Sequence, residues 1–506
     1  MLEGLTSMLA PQMVLTLVLA TLGGAIIGGL PGLTATMAVA LLVPFTFTLG
    51  PATGLVAIGG LYVGAMYGGA ISACLINTPG TPSALATTFD GFPLTRQGKG
   101  QHALVSAGIA SAAGALIGGL ALLLLSPPLA EFSLRFGPPE FFWIGMFGLT
   151  MIASLASGSL WKGLAGGALG MLLSTIGIAP AQAHARYTFG MPDLLGGVNM
   201  VASLIGFFAI PQALRLVEAH IERPRIAEYR ESRGVFTEVA RKLLLRPMTL
   251  IRSSVIGTIV GILPAAGSPI ASLISYNEAK RWSPHPDEFG KGALEGVAAS
   301  EAATNAAAPA SMIPLLALGV PGSPPAAVAL GALLLHGLRP GQSLYAEHGD
   351  IVYPFLWSMI LAGVVIMGIS LLLSRYLARI ASFPVHLLAP LILLLSVVGS
   401  FAIRNNVLDV GIMLSFGLLG FVLDKLGFSA GPIVLGLILG PIVESGLVTS
   451  LAMMGPGRSG LDVFVLRPIS ALLIVLTLLS AAWPVISRRL LPSAAPVATT
   501  GTGQAE

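Results

Sequence analysis

Charge is what this sequence has least of. Lys, Arg, Asp and Glu make up only 9% of its 506 residues, against about 25% in ordinary soluble domains, so a water-facing surface of normal extent cannot be built from it. The single cysteine, Cys74, excludes an intrachain disulfide framework and any multi-cysteine metal site. A net charge of +4 spread over 26 basic residues describes loops meeting a membrane, not a nucleic-acid patch. No G-x-x-x-x-G-K-[ST] loop occurs. Gly98-Lys99-Gly100 lacks both the spacing and the hydroxyl, so ATP-driven transport by this chain is not expected. The absence of H-E-x-x-H argues against a zinc-dependent intramembrane protease, and none of the seven histidines forms an evident Ser/His pair. Met1-Leu2-Glu3-Gly4 lacks the basic stretch that opens a cleaved signal, so the first apolar segment is expected to be a retained helix.

What is present is apolar. Hydrophobic residues make up 55% of the chain and mean hydropathy is +0.88. Runs at 103–125, 351–373 and 468–486 approach or exceed the roughly 18 apolar residues that read as a membrane span. The expected fold is an all-α polytopic membrane protein with about 12–14 helical segments, from ~20 residues per span. The organisation expected is a first membrane repeat over 1–214, an amphipathic linker over 215–249, a second membrane repeat over 250–451, a final transmembrane helix over 452–491 and a disordered tail over 492–506. The linker holds a large share of the basic residues, which by the positive-inside rule makes it cytoplasmic.

Two motifs recur in order. Gly24-x-x-x-Gly28-x-Leu30-Pro31 matches Gly257-x-x-x-Gly261-x-Leu263-Pro264 at an offset of 233, and Pro79-Gly80-Thr81-Pro82 matches Pro321-Gly322-Ser323-Pro324 at 242. A lone Gly-x-x-x-Gly is common wherever membrane helices pack, but two linked motifs at nearly one offset describe a duplicated unit. No Lys or Arg precedes Arg96. That bias, with Arg96 and Lys99 after the first Pro-Gly motif, predicts an internal first motif loop and an external second one, an inverted-topology repeat. Lys280, Arg281 and Lys291 would then lie outside if 250–275 crossed fully; a re-entrant segment near Leu263-Pro264 would bring them back.

Proline cannot continue a helix and glycine accepts unusual backbone angles. A Pro-Gly-Thr-Pro sequence inside an apolar stretch therefore ends one helix and begins another. In lipid, the freed backbone groups must be buried in protein or line a polar cavity. A helix starting there directs its N–H groups and positive dipole end into that cavity, which suits a carboxylate. The substrate-site candidates are accordingly Pro31, Gly32 and Thr34; Asn77, Pro79, Gly80, Thr81 and Ser83; Gly267 and Ser268; and Pro321, Gly322 and Ser323. An ionisable group at membrane depth is costly unless paired or wet. Glu301 and Asn305 share a helix face at i and i+4 and, with Asn77, are candidates to hold a coupling Na⁺ or proton. Asp90 reads as a turn or cap residue, Glu295 as a residue near a helix end. No catalytic residue and no cofactor is expected.

Four segments carry a family resemblance: the stretch from Gly24 through 31–47, YGGAISACLINTPGTPSALATTFDGFPL, GTIVGILPAAGSPIASLISYNEAKR, and EAATNAAAPASMIPLLALGVPGSPPAAVALGALLLHGLRPG. Over about residues 12–490 the chain resembles the large permease subunit, TctA-type, of the tripartite tricarboxylate transporter family. The resemblance implies a multi-pass permease of a bacterial inner membrane, not an enzyme. It implies a small membrane subunit and a periplasmic solute-binding protein as partners, and uptake of citrate-like tricarboxylates or of dicarboxylates and related organic acids driven by a Na⁺ or H⁺ gradient. An intramembrane hydrolase and a non-transporting scaffold or channel are the competing classes.

Overall fold

In a computed structural model the protein is almost entirely helical, and the structure describes residues 1–155, 159–179, 183–218, 234–263, 267–380, 387–454 and 459–490. Its only strands among these are two residues each, Gly177–Ile178 paired antiparallel with Ala185–Arg186. Seven described helices are long and apolar enough to cross a membrane, and four further apolar helices are shorter. The chain is an all-α polytopic membrane protein.

Each half opens with a helix, a break and a returning helix. In the first half these are Pro11–Gly29 and Ala35–Leu49, followed by the long helix Pro51–Ile76, the half-helix Leu85–Arg96 and the flanking helix Gly100–Phe132. In the second they are Pro247–Ile262 and Gly267–Trp282, then Leu294–Ala310 and Met312–Leu318, the half-helix Pro324–Leu335 and the flanking helix Gly349–Ile380. Proline at the first helical position starts four of these, where its missing N–H costs nothing and its fixed φ is already helical.

Glycine decides how they pack. A Cβ on Gly24 or Gly28 would overlap the carbonyls of Leu61 and Ala65, and one on Gly257 or Gly261 would meet those of Ala303 and Ala307. The contacted residues are themselves 242 apart. The two motifs thus form one interface twice, and close backbone approach replaces the hydrophobic driving force that lipid cannot supply.

These contacts also give helix direction. Rising numbers meet rising numbers (Leu17 with Gly60, Ala25 with Gly68), so Pro11–Gly29 runs parallel to Pro51–Ile76. Ala35–Leu49 joins the end of the first to the start of the second through Gly50 alone, and must turn back. It is the returning limb of a re-entrant hairpin. The same reasoning makes Gly267–Trp282 a returning limb, since Pro247–Ile262 is parallel to Leu294–Ala310. Between the halves, Leu104 meets Ser370 and Gly119 meets Ile360, so the two flanking helices run antiparallel. Equivalent helices in the two halves therefore point in opposite directions.

The hairpins change the count of crossings. The segment expected at 250–275 ends at Ile262 and restarts at Gly267, and Pro264 at the tip lies outside the described residues. Fewer than 12 described helices are long enough to cross, because each half spends an early segment pair on a hairpin that returns. The returned limb also brings the basic residues together. Arg246 meets Ser283 and Glu295, Gln97 donates to the Lys291 carbonyl, and His102 meets Glu238. Arg96, Lys99, Lys280, Arg281 and Lys291 thus share the face of the linker. Within that linker Val235–Leu244 forms an amphipathic helix, bent by 77° from the helix that follows. The Lys242 ammonium beside Glu238 holds that carboxyl below its ordinary range. Residues 219–233 and the tail 492–506 lie outside the described residues.

The outer helices complete the body. Pro138–Leu155 and Leu160–Ser174 of the first half pack against Ala430–Ala452 of the second. Met200–Glu218 of the first packs in turn against Leu388–Arg404 and Val407–Lys425 of the second. Three carboxylates there are tied to arginines, at 2.6 Å for Arg186–Glu444, 2.6 Å for Arg404–Asp409 and 2.7 Å for Arg467–Glu140.

The hairpin geometry has a direct test. In a Cys74→Ser background, single cysteines at Lys242 and Lys280 should react with a membrane-impermeant thiol reagent from one side of the membrane. A cysteine at the exposed Glu347, just before the flanking helix, should react only from the other. Labelling of positions 280 and 347 from the same side would contradict the returning limb.

Candidate functional site

The four helix breaks meet at one place. A cavity of about 140 Å³ is lined by Thr34, Ala35 and Thr36 from the first hairpin and Gly267, Ser268 and Pro269 from the second. The rest of its wall is Thr81, Pro82 and Ser83, then Ser323, Pro324 and Pro325 from the two Pro-Gly motifs, with Tyr62 and Met66 from the first long helix. The twelve break residues are equivalent in pairs at the offsets 233 and 242 read from the sequence. The inverted repeat therefore has its centre here.

Each break presents the start of a helix. Thr34 caps Ala35–Leu49 by accepting from the Met37 N–H at 3.2 Å. Ser323 caps Pro324–Leu335 by accepting from the Ala326 N–H at 3.3 Å. Thr81 precedes the short turn Pro82–Ala84 that leads into Leu85–Arg96, and Gly267 opens Gly267–Trp282 with φ +64. The first turn of a helix leaves amides without an intrahelical acceptor. The prolines at 82, 269, 324 and 325 have none to offer, so the first-turn donors at the cavity are those of residues such as Ala35, Thr36, Ser83 and Ser268. No Lys, Arg or His is among the lining residues. Partial positive charge comes only from helix ends and hydroxyls, a setting for an anion that must also leave.

Not every residue expected at the site lies on its wall. Gly80 and Gly322 stand behind it: their N–H groups bond the carbonyls of Gly69 at 3.3 Å and Ser311 at 3.2 Å. Side chains there would run into the carbonyls of Gly28 and Gly261. These glycines let the loop lie on the hairpin; they do not admit a ligand to the backbone. Pro79 and Pro321 belong to the same loops outside the lining. Pro31 is buried at the hairpin tip, and Gly32, at φ +84, accepts a hydrogen bond from Gln212 Nε2. Asn77 is exposed in a left-handed conformation at the end of Pro51–Ile76 and is not a partner of Glu301, so it leaves the candidate ion site.

Glu301 and Asn305 are brought together beside the cavity. Glu301 is fully buried, and its carboxylate accepts from Thr87 Oγ1 at 2.5 Å and Ser111 Oγ at 3.3 Å. Asn305 Nδ2 donates to Ser111 Oγ at 2.8 Å, while its Oδ1 is buried without a hydrogen-bond partner among the described residues. Ser300 lies 2.9 Å from Thr87. No basic side chain pairs with Glu301 among the described residues. Thr87 lies four residues after Ser83, in the half-helix that the turn Pro82–Ala84 leads into, and Thr304, next to Asn305, bonds the Ser83 carbonyl at 3.5 Å. The carboxylate is thus in contact with the element that forms the cavity wall.

Asp90 is neither a turn nor a cap. It lies inside Leu85–Arg96, fully buried. It accepts from the Tyr276 hydroxyl at 2.9 Å and from the N–H groups of Gly290, Gly292 and Ala293 at 2.8, 2.8 and 2.9 Å. It fastens the first half-helix to the second hairpin on the basic face. Only the glycines at 290 and 292, both at positive φ, hinted at such a nest in the sequence. Glu295 does lie in a helix first turn, bonded to Arg246 and Thr249.

Because Gly80 is a packing residue, Gly80→Val should cost folded protein and not transport alone. Yield of monodisperse protein in detergent should fall severalfold. Ser323→Ala, which removes one cap, should lower stability by about 1 kcal/mol with normal yield. Wild-type yield and thermal stability for Gly80→Val would contradict the close approach.

A sequence profile of the tripartite tricarboxylate transporter TctA family matches residues 14–435. The chain is also similar to an uncharacterized 52.8 kDa protein in the TAR-I ttuC' 3' region of Agrobacterium vitis, 35% identical over 479 residues, covering 94% of this chain and 93% of the relative. A second protein of that organism, in the TAR-II ttuC' 3' region, is 36% identical over 222 residues, 44% of this chain and 90% of the relative. No solved structure matches.

Proposed function

The chain belongs to the tripartite tricarboxylate transporter TctA family, and from that premise we propose that it is the large permease subunit of an ion-gradient-driven importer of organic acid anions in a bacterial inner membrane. Its substrates are citrate-like tricarboxylates or, in the alternative, dicarboxylates and related carboxylates. A small membrane subunit and a periplasmic solute-binding protein complete the system. The supporting observation is the convergence of four helix starts, two from each inverted half, on one cavity without a fixed cation. Helix ends stabilise a carboxylate by about 0.3–1 kcal/mol each, enough to hold an anion and little enough to release it.

In this reading the halves, 1–214 and 250–451, alternate access around the cavity. A pseudo-two-fold axis in the membrane plane relates the two halves, and rocking one against the other opens the fixed site to each side in turn. Coupling resides at Glu301. A buried carboxylate without a basic partner needs a cation or a proton to balance it. Thr87, Ser111 and the Asn305 Oδ1 supply neutral oxygens beside it. Occupation by Na⁺ or H⁺ changes the charge of the carboxylate to which Thr87 donates, and so acts on the half-helix that follows Ser83 at the cavity wall.

The test is uptake of labelled citrate and succinate into membrane vesicles carrying both membrane subunits, with the binding protein added and Na⁺ and pH varied. Uptake should follow the ion gradient and be indifferent to ATP. Glu301→Gln should insert normally and lose ion-stimulated uptake by at least about tenfold. Uptake in that variant with unchanged ion dependence would remove Glu301 from the coupling site.

A further inference from the structure

The four breaks obey the pseudo-two-fold, but the wall between them does not. Tyr62 and Met66 of the first long helix line the cavity. At the offset of 242, their equivalents in the second half are Thr304 and Ala308, and neither lines it. Thr304 is turned to the Ser83 carbonyl, at 3.5 Å. A large aromatic therefore faces the cavity from one half only, where symmetry would allow a small side chain.

Its hydroxyl is placed by the opposite half. Tyr62 OH lies 3.0 Å from Ser323 Oγ and 3.4 Å from Ser311 Oγ. Ser311 Oγ donates to the Ala308 carbonyl at 2.7 Å, and Ser323 Oγ donates to Ser311 Oγ at 3.0 Å. With those protons committed, the phenol proton goes to Ser323 or Ser311, and the phenol oxygen keeps its lone pairs. The ring is fixed at both ends, by the helix that carries it and by the second Pro-Gly motif. A side chain held so firmly defines the size of the space it borders.

We propose that Tyr62 is the specificity-determining residue of the substrate cavity. Its ring sets the largest organic anion the four helix starts can enclose, and its hydroxyl, bonded to Ser323 and Ser311 of the opposite half, fixes where that ring stands. This deepens the carboxylate-importer reading above and rests on it. Because only one half carries the ring, the two ends of a bound anion meet different surroundings, and the substrate is held in one orientation.

The experiment is a thermal-shift titration of the purified chain in detergent with acetate, succinate and citrate at constant ionic strength. Wild type should be stabilised by at least one of them. Tyr62→Phe keeps the ring and loses its anchor to Ser323 and Ser311, so half-saturation by the same acid should rise about two- to tenfold as the ring's placement loosens. Tyr62→Thr installs the symmetry-equivalent residue, and its preference for citrate over succinate should increase by about tenfold or more. A merely structural tyrosine would lower the unliganded melting temperature and leave half-saturation and the order of preference unchanged, which would overturn the proposal while leaving the importer reading intact. If wild type responds to none of the three acids, the carboxylate reading falls and the role of Tyr62 with it. Should Tyr62→Thr fail to fold, the half-saturation of Tyr62→Phe decides.

Discussion

A helix interrupted inside a membrane leaves N–H and C=O groups that lipid cannot satisfy. That cost is the constraint around which this molecule is arranged. Its breaks at Thr34, Thr81, Gly267 and Ser323 are tolerable only if they are packed against protein, and all four lie together where the two halves cross. Glycine makes the burial possible. Gly24 and Gly28 pack against Pro51–Ile76, and Gly257 and Gly261 against Leu294–Ala310, so each hairpin sits close to the helix beside it. Gly80 and Gly322 then let each motif loop lie on its own hairpin. The cavity is thus a consequence of hiding broken backbone, and the helix starts that line it give it a preference for anions.

The same geometry orders the charges. Returning limbs bring Lys280 and Arg281 to the face that carries the linker, and Asp90 ties the first half-helix to the second hairpin there through a hydroxyl and three backbone amides. Glu301 is the exception, a carboxylate at 0% exposure whose partners are hydroxyls. It touches Thr87, on the half-helix that leads away from the cavity wall, so Glu301 and the cavity share one element.

Much of this was legible in the sequence, for identifiable reasons. Proline and glycine at fixed spacing give the breaks, and the two offsets give the repeat, because backbone chemistry is carried by those residue types themselves. The pairing of Glu301 with Asn305 followed from helical periodicity. The errors fall where three-dimensional packing decides. Gly80 and Gly322 are substrate-site candidates by sequence, but a glycine that admits a ligand and one that admits a neighbouring carbonyl look alike in one dimension. Asn77 resembles an oxygen donor because it adjoins the motif, yet it caps the end of Pro51–Ile76 in a left-handed conformation and is exposed. Asp90 looked like a turn residue beside Gly91 and Pro93, but a half-helix shielded by the opposite repeat makes it a buried fastener. Tyr62 carried no signal until the offset of 242 set it against Thr304.

The central claim is that equivalent helix starts from the two inverted halves enclose a single anion site. Protection of single cysteines at Thr36 and Ser268, in a Cys74→Ser background, tests it most directly. The two positions lie on different hairpins, at the cavity that only the crossing of the halves creates. An acid that the system transports should slow alkylation of both cysteines, with the same half-protecting concentration. Protection of one position alone, or different concentrations for the two, would contradict a shared site.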